Sequence, residues 1–317
     1  MTGKSAAAKG PVGIVATSRA AMQEIICLLA RDQVGVSQLF GASPRGQGKA
    51  LAAGLEALQA DPATSVIVLA SGEISPAAAT EILARIGDSD KPAIVCLLGR
   101  DPHAIWKAGA IPAARLDEAA MRAAAWARGW DQALVSASLE DQQEQLAGMA
   151  RELQPRFAPA RCKLHGLFTD GILGCEAQLM LSDLAKRMGD ARLEAALTVC
   201  VQPDFSLWQP HLRQALADPQ VAVILLDLLC SEGAACDPVS VLTRALDEHR
   251  RPASGSGGEH PGEPWIVARL SRPGAAPRLL AADEAKLWDA DVLLAPSNAA
   301  MARLAGMIVG ELCRPTS

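Results

Sequence analysis

The chain has 317 residues, half of them apolar, with a net charge of −5 and both signs interspersed. That length has room for about two domains of roughly 150 residues each, enough for two substantial cores. Four Phe, six Trp and no Tyr leave little for stacking on bases, and the acidic balance argues against nucleic acid or an anionic membrane as partner.

The first segment opens with "GPVGIVA" (10–16), a short β-branched strand. A Thr/Ser cap then leads into the helix "TSRAAMQEIICLLARDQ", with Ile25, Ile26, Leu28 and Leu29 at helical spacing. An extended "VGVSQLFG", a Gly/Ser/Pro loop "ASPRGQG" and the helix "KALAAGLEALQA" follow. "SVIVLAS" predicts a buried strand, "SPAAATEILARIG" a helix with Pro in its first turn, and "PAIVCLLG" another strand. A short "AGAIPA" and the helix "RLDEAAMRAAAWARGW" close the unit. Strand and helix alternate, and the strands are continuously apolar, as parallel strands buried on both faces are.

Residues 131–161 form a polar, Gln-rich helix and the Pro-punctuated "LQPRFAPARC", a linker between domains at 10–130 and 162–313. The second domain repeats the first. "KLHGLFTDGILGCEAQLMLSDLAKR" matches the opening strand, turn and helix, with Thr17 and Asp170 at the corresponding turns. "LQADPATSVIVLASGE" and "LADPQVAVILLDLLCSEG" are the same cassette of helix end, Asp, apolar strand and loop. "PWIVARL" parallels "PAIVCLLG", and "ADVLLAPSNAAMARLAG" parallels the end of the first unit. A Gly/Ser/Pro-rich insertion at 252–264 marks a mobile surface loop. The fold expected is α/β: two tandem flavodoxin-like domains with parallel sheets, related by internal duplication.

The eight Cys are scattered, several inside apolar runs, with no C-x-x-C pair; Cys230 and Cys236 match no common zinc spacing. Buried thiols in a reducing cytosol are the plain reading. His103 and His165 fall at loop or strand edges, and His211, His249 and His260 have no carboxylates at ligand spacing, so no metal is expected. The N-terminus lacks the apolar core of a secretory signal, and no apolar run reaches the length of a membrane span. A cytoplasmic protein without a membrane partner is expected.

In open parallel sheets, ligands bind beyond the carboxyl ends of the strands, beside helix N-termini whose unpaired N–H groups favour anions. The two equivalent places are "ATSRAAMQE" (16–24) and "FTDGILGCE" (168–176). Facing one pocket, they would clamp an anion from two sides. Asp227, ending the strand "VAVILLD", could reach such a pocket or cap its own loop. Glu24 and Glu176 lie deeper in their helices and read as structural groups bonding neighbouring backbone.

"GPVGIVATSRAAMQE", "HGLFTDGILGCEA", "LADPQVAVILLD" and "GAACDP" follow one another as similar segments do in the FdrA family, within the acyl-CoA synthetase superfamily that includes succinyl-CoA synthetase. The resemblance covers about Gly10 to Met307. It implies two succinyl-CoA synthetase-like flavodoxin domains whose helix N-termini address a phosphoryl group. The activity it implies is carbamoyl transfer involving phosphate, as in an oxamate carbamoyltransferase, or acyl-CoA ligase-like transfer, with a homodimer or companion subunits. On the matching positions, Ser18, Arg19, Arg45, Thr169 and Gly171 would hold phosphate or carbamoyl phosphate. Asp204 and Asp227 would give acid/base support, while Gln23, Glu24 and Glu176 shape the site.

The sequence departs from the family at points that bear on chemistry. The family's first turn resembles G-A-S-G-T-G-x-Q-E; here only Ser18, Gln23 and Glu24 fit it, and the lost glycines are those that permit close backbone approach to phosphate. Arg19 substitutes as a phosphate partner or plugs the site. A G-G-R-D loop keeps only Arg45, T-G-G-T-L reads Thr169-Asp170-Gly171-Ile172-Leu173, and H-P-M-I-D-P-T-L-R is reduced to "CVQPDFSLW". Lys107 in "WKAGAI" stands where succinyl-CoA synthetase has its phosphorylated His. The family's CoA-binding domain precedes the matched region, which argues against CoA as a ligand. Two readings stay open: a carbamoyl- or acyl-transferring subunit, and a scaffold or regulatory subunit that kept the fold and lost the site.

Overall fold

A computed structural model describes residues 8–41, 47–87, 89–153, 161–202, 204–230, 237–250 and 263–312. Arg45 and positions 252–262 of the insertion lie outside them. The chain divides into two compact units, 1–141 and 142–317.

In the first unit the order is β1 (Lys9–Ala16), α1 (Arg19–Arg31), β2 (Val36–Gly41), α2 (Gln47–Ala60), β3 (Val66–Ser71), α3 (Pro76–Gly87) and β4 (Ala93–Leu97). It continues through α4 (Pro102–Lys107), β5 (Ile111–Pro112) and α5 (Leu116–Arg128). The strands form one parallel sheet in the order β2-β1-β3-β4-β5. This is the flavodoxin-like order, in which the winding direction reverses between β1 and β3. β3 and β4 are buried at every residue. One face packs Val15, Ile67, Leu69 and Val95 against Leu51, Leu55 and Ile82 of α2 and α3. On the other, α1 packs against α5, burying Ala21, Ile25 and Leu29 with Ala119, Ala120 and Ala123. Successive strand residues point to opposite faces, so a strand covered twice must be apolar throughout.

Helix α6 (Gln132–Leu153) spans the unit boundary. The second unit comprises β6 (Lys163–Phe168), α7 (Gly171–Met188), α8 (Ala191–Glu194), β7 (Leu197–Val201), α9 (Trp208–Ala217) and β8 (Val221–Leu229). α10 (Pro238–Arg250), β9 (Trp265–Ser271), α11 (Pro277–Asp289), β10 (Val292–Leu294) and α12 (Asn298–Leu312) complete it. Its sheet is parallel in the order β7-β6-β8-β9-β10, the same topology as the first. β8 is buried along eight of its nine residues. Leu167, Ile224, Leu226 and Ala268 pack with Trp208, Leu212, Leu242 and Leu287 of α9, α10 and α11, and α7 lies against α12.

The duplication is legible in the hydrogen bonds. Asp61 Oδ1 accepts from Ala63 N (3.2 Å) ahead of β3, and Asp218 Oδ1 from Gln220 N (2.8 Å) ahead of β8. The helix caps correct one correspondence. Ser18 caps α1 and Asp170 caps α7, so Asp170 is the counterpart of Ser18, and Thr17 that of Thr169. His165 is also displaced from its expected strand edge, since it lies within β6, paired with Thr198 and Ile224.

Glu24 and Glu176 are 2% and 0% exposed. Glu176 Oε2 accepts from Asn298 Nδ2 at 2.7 Å, and the same amide donates to Leu173 O at 3.0 Å, which fastens α12 to α7. Replacing Asn298 by Leu is expected to lower stability by about 1.5–3 kcal/mol, because a buried carboxylate loses a donor. Urea-denaturation midpoints measure this. Arg213→Ala, at a largely exposed pair with Glu248, should stay within about 0.5 kcal/mol of wild type.

His165 adds a pH dependence. Burial, and then the neighbouring His211, push its pKa below the ordinary histidine value of 6.5, while Asp218 pulls the other way. The unfolded chain therefore takes up this proton first as pH falls through 6.5, and stability declines with it. His165→Leu should flatten that part of the stability–pH curve, as followed by urea midpoints between about pH 7.5 and 5.5.

Candidate functional site

Each sheet reverses between its first and third strands, and each β1–α1-type turn sits at that point. In the first unit, Thr17 N donates to Ala70 O (3.1 Å) and Thr17 Oγ1 to Ser71 Oγ (3.2 Å). Ser18 Oγ then accepts from Ala21 N at 3.2 Å, closing the first turn of α1 with a neutral group. Arg19 is the first helical residue and is exposed. Gln23 is half-buried, and its Oε1 has no hydrogen-bond partner among the described residues. This helix start carries a hydroxyl cap and a cation, with no carboxylate in its first turn.

The second unit builds the same turn from charged parts. Thr169 donates both its N–H (3.1 Å) and its hydroxyl to Asp227 Oδ2. Asp170 Oδ1 accepts from Ile172 N at 3.0 Å, so a carboxylate occupies the helix start. A carboxylate there satisfies an orphan N–H and complements the helix dipole, which are the attractions an incoming phosphate would use. Gly171 is exposed, and a Cβ at its position would meet nothing within 4 Å. The fold itself therefore has no steric need for glycine there.

Asp227 is 1% exposed and is the register partner of Arg269, 2% exposed, on β9. Arg269 Nη1 also donates to Leu270 O at 2.8 Å. Acid and base thus lie side by side inside the sheet, with Asp227 additionally bonded twice to Thr169. A carboxylate so held is a strut for the β6–α7 turn. Asp204 is exposed on the loop after β7, where its carbonyl accepts from Leu207 N (3.1 Å). The structure therefore joins Thr169 and Asp227 directly, and places Ser18 with Arg19 in the other unit.

Several polar groups at the carboxyl ends of the strands escape a reading by motif. Arg269 is the lone charge in "WIVARLS", and that isolation within an apolar strand was its available signal. Arg115 and Asp117, at the start of α5, form a buried pair with Nε–Oδ1 at 2.9 Å. Past β9, Arg272 Nη2 reaches Asp283 Oδ2 (2.7 Å) and Asp237 Oδ1 (3.1 Å). Cys230, beside them, has its thiol pKa pushed up to about 12 by burial, which removes it as a nucleophile at neutral pH. Among the described residues no group of three or more His, Cys, Asp or Glu could hold a metal ion, and no helix is long and apolar enough to cross a membrane.

Asp227→Ala removes the acceptor of two Thr169 bonds and the carboxylate beside a buried guanidinium. The expected cost is about 3–5 kcal/mol, measured by urea midpoint. Gly171→Ala should shift that midpoint by less than about 0.5 kcal/mol.

No protein-family model matches the chain. It is 26% identical over 330 aligned positions to the uncharacterized protein YahF of Escherichia coli (strain K12), an alignment covering 93% of this chain and 61% of YahF. The chain thus spans less than two thirds of that relative. Among solved structures it is similar to PH0766 from Pyrococcus horikoshii OT3, with 15% identity, 97% of this chain and 66% of that one covered, and a TM-score of 0.33. A putative sugar binding protein from Salmonella typhimurium LT2 aligns at 12% identity over 95% of this chain and 88% of its own, with a TM-score of 0.39. Structural likeness at this level carries nothing about function.

Proposed function

We propose that the chain is a non-catalytic, FdrA-like subunit that keeps a double flavodoxin-like fold as a scaffold for companion subunits. The observation that carries this reading is the turn at Thr169–Gly171. Asp170 fills the helix start with its own carboxylate, and Thr169 spends both donors on Asp227. A phosphoryl group arriving there would meet negative charge where transfer chemistry needs preorganised donors. The motif departures in the resemblance to the FdrA family point the same way.

A second reading is supported by the first unit. There the groups that play the same parts are neutral, Ser18 and Ser71, and Arg19 stands exposed at the first helical position. Under this reading the chain is a carbamoyl- or acyl-transferring subunit that holds phosphate or carbamoyl phosphate at Ser18 and Arg19.

Thermal shift with phosphate, carbamoyl phosphate and CoA separates the two. The scaffold reading expects no change in Tm at about 10 mM of each, since only a ligand that binds the native state stabilises it. A shift abolished by Arg19→Ala supports the second reading, and one abolished by Thr169→Ala sinks the first. The scaffold reading also expects the purified chain to form a defined complex with products of its neighbouring genes. A monomer mass by light scattering, alone and in those mixtures, would overturn it.

A further inference from the structure

The helices that join the last two strands of each unit, α4 ahead of β5 and α11 ahead of β10, end alike. Ile105 and Leu287 are buried, and the residue after each is a tryptophan turned outward. Trp106 is 64% and Trp288 71% exposed, the two highest values for large apolar side chains among the described residues. Two positions on, Ala108 and Ala290 close the helices, their N–H groups donating to Ile105 O (3.1 Å) and Leu287 O (3.2 Å). Gly109 and Asp291 follow with φ of 81° and 56°, and each donates its N–H to the tryptophan carbonyl at 2.9 Å. The segments are "IWKAGAI" and "LWDADVL". One exposed apolar side chain is ordinary; an exposed indole at the same position of two duplicated units is not. It gains nothing for either core, whereas Trp is enriched at the centres of protein–protein contacts. His103 stacks on Trp106 with ring centroids 5.8 Å apart and planes 17° from parallel, which limits the rotamer freedom left to lose on contact.

The residue after each tryptophan carries the opposite charge. Lys107 and Asp289 are both exposed, and neither has an ion pair among the described residues. The charges beside them are engaged: Asp101 accepts from His103 N (3.0 Å), Lys286 pairs with Asp283 (3.3 Å), and Asp291 lies 3.5 Å from Arg250. We propose that these two surfaces meet in a two-fold homodimer, Trp106 and Lys107 of one copy against Trp288 and Asp289 of the other. Charge selects a second copy as the occupant, since a cation beside one indole complements a carboxylate beside the other and fixes which surface meets which. Across a two-fold axis the contact is made twice, so both tryptophans of both copies are covered and the assembly closes. The proposal rests on neither reading of the Thr17 and Thr169 turns, which concern ligands and not contact between copies.

Sedimentation velocity of the full chain, loaded between about 1 and 100 µM, tests the proposal by giving the dimer dissociation constant. Trp106→Ala and Trp288→Ala should each raise that constant at least about tenfold, as truncation of a tryptophan anchor does. Lys107→Asp and Asp289→Lys should each weaken the dimer by setting like charges together. The chain carrying both should return to within about threefold of wild type, because the exchange restores the pair. Far-UV circular dichroism and urea midpoints confirm that these exposed substitutions leave the fold intact. Wild type that stays monomeric at about 100 µM overturns the proposal. So does a dimer indifferent to both tryptophan substitutions, or one that the double charge exchange does not restore. A wild-type chain that binds a different protein through these tryptophans, without self-association, assigns the surfaces to that partner and equally overturns the homodimer.

Discussion

A parallel strand covered by helices on both faces has no solvated side on which to place polar groups. That constraint shapes both units. β3 and β4 are buried at every position and β8 at eight of nine, so polar chemistry is confined to the ends of the strands and to the turns that leave them. Where a charge does enter the sheet, it comes with an opposite charge alongside: Asp227 and Arg269 are neighbours on adjacent strands. A lone buried charge of either sign would cost several kcal/mol, so these two residues are comprehensible only as a couple.

The two halves solve the same problem at the reversal of each sheet with different chemistry. Each must tie the first strand's exit to the central strand and cap the helix that follows. The first unit does this with hydroxyls, Thr17 on Ser71 and Ser18 on Ala21 N. The second uses carboxylates, Asp227 under Thr169 and Asp170 on Ile172 N. Backbone geometry is indifferent to this exchange, because Ser and Asp both serve as caps. An anionic ligand is not, since a carboxylate at a helix start opposes it and a hydroxyl does not. A duplicated fold can thus stay intact while the electrostatics of its two turns diverge.

Deeper in the units the polar devices are structural. Glu176 with Asn298 ties α7 to α12, and Arg115 with Asp117 organises the start of α5. The first of these acts between elements far apart in sequence, with Glu176 and Asn298 separated by 122 positions. Nothing local to either residue announces the bond.

Continuous apolar runs and capping residues were enough to read the parallel strands, most of the helices, and the repeat. The edge strand β7 was not legible, because its burial is partial and its Thr198, Val199 and Val201 are exposed, which dilutes the apolar signal that marks the central strands. α4 and α8 are too short to show helical periodicity. The pairing of Thr17 with Thr169 needed the caps themselves, since one position along a turn changes which side chain faces the helix. Sequence by itself determined the two-fold α/β plan, because burial on both faces and helix capping are local demands written residue by residue. Only tertiary structure decided that Asp227 serves Thr169, that Arg269 shares its burial, and that Asn298 holds Glu176, because those contacts arise when separate strands and helices converge.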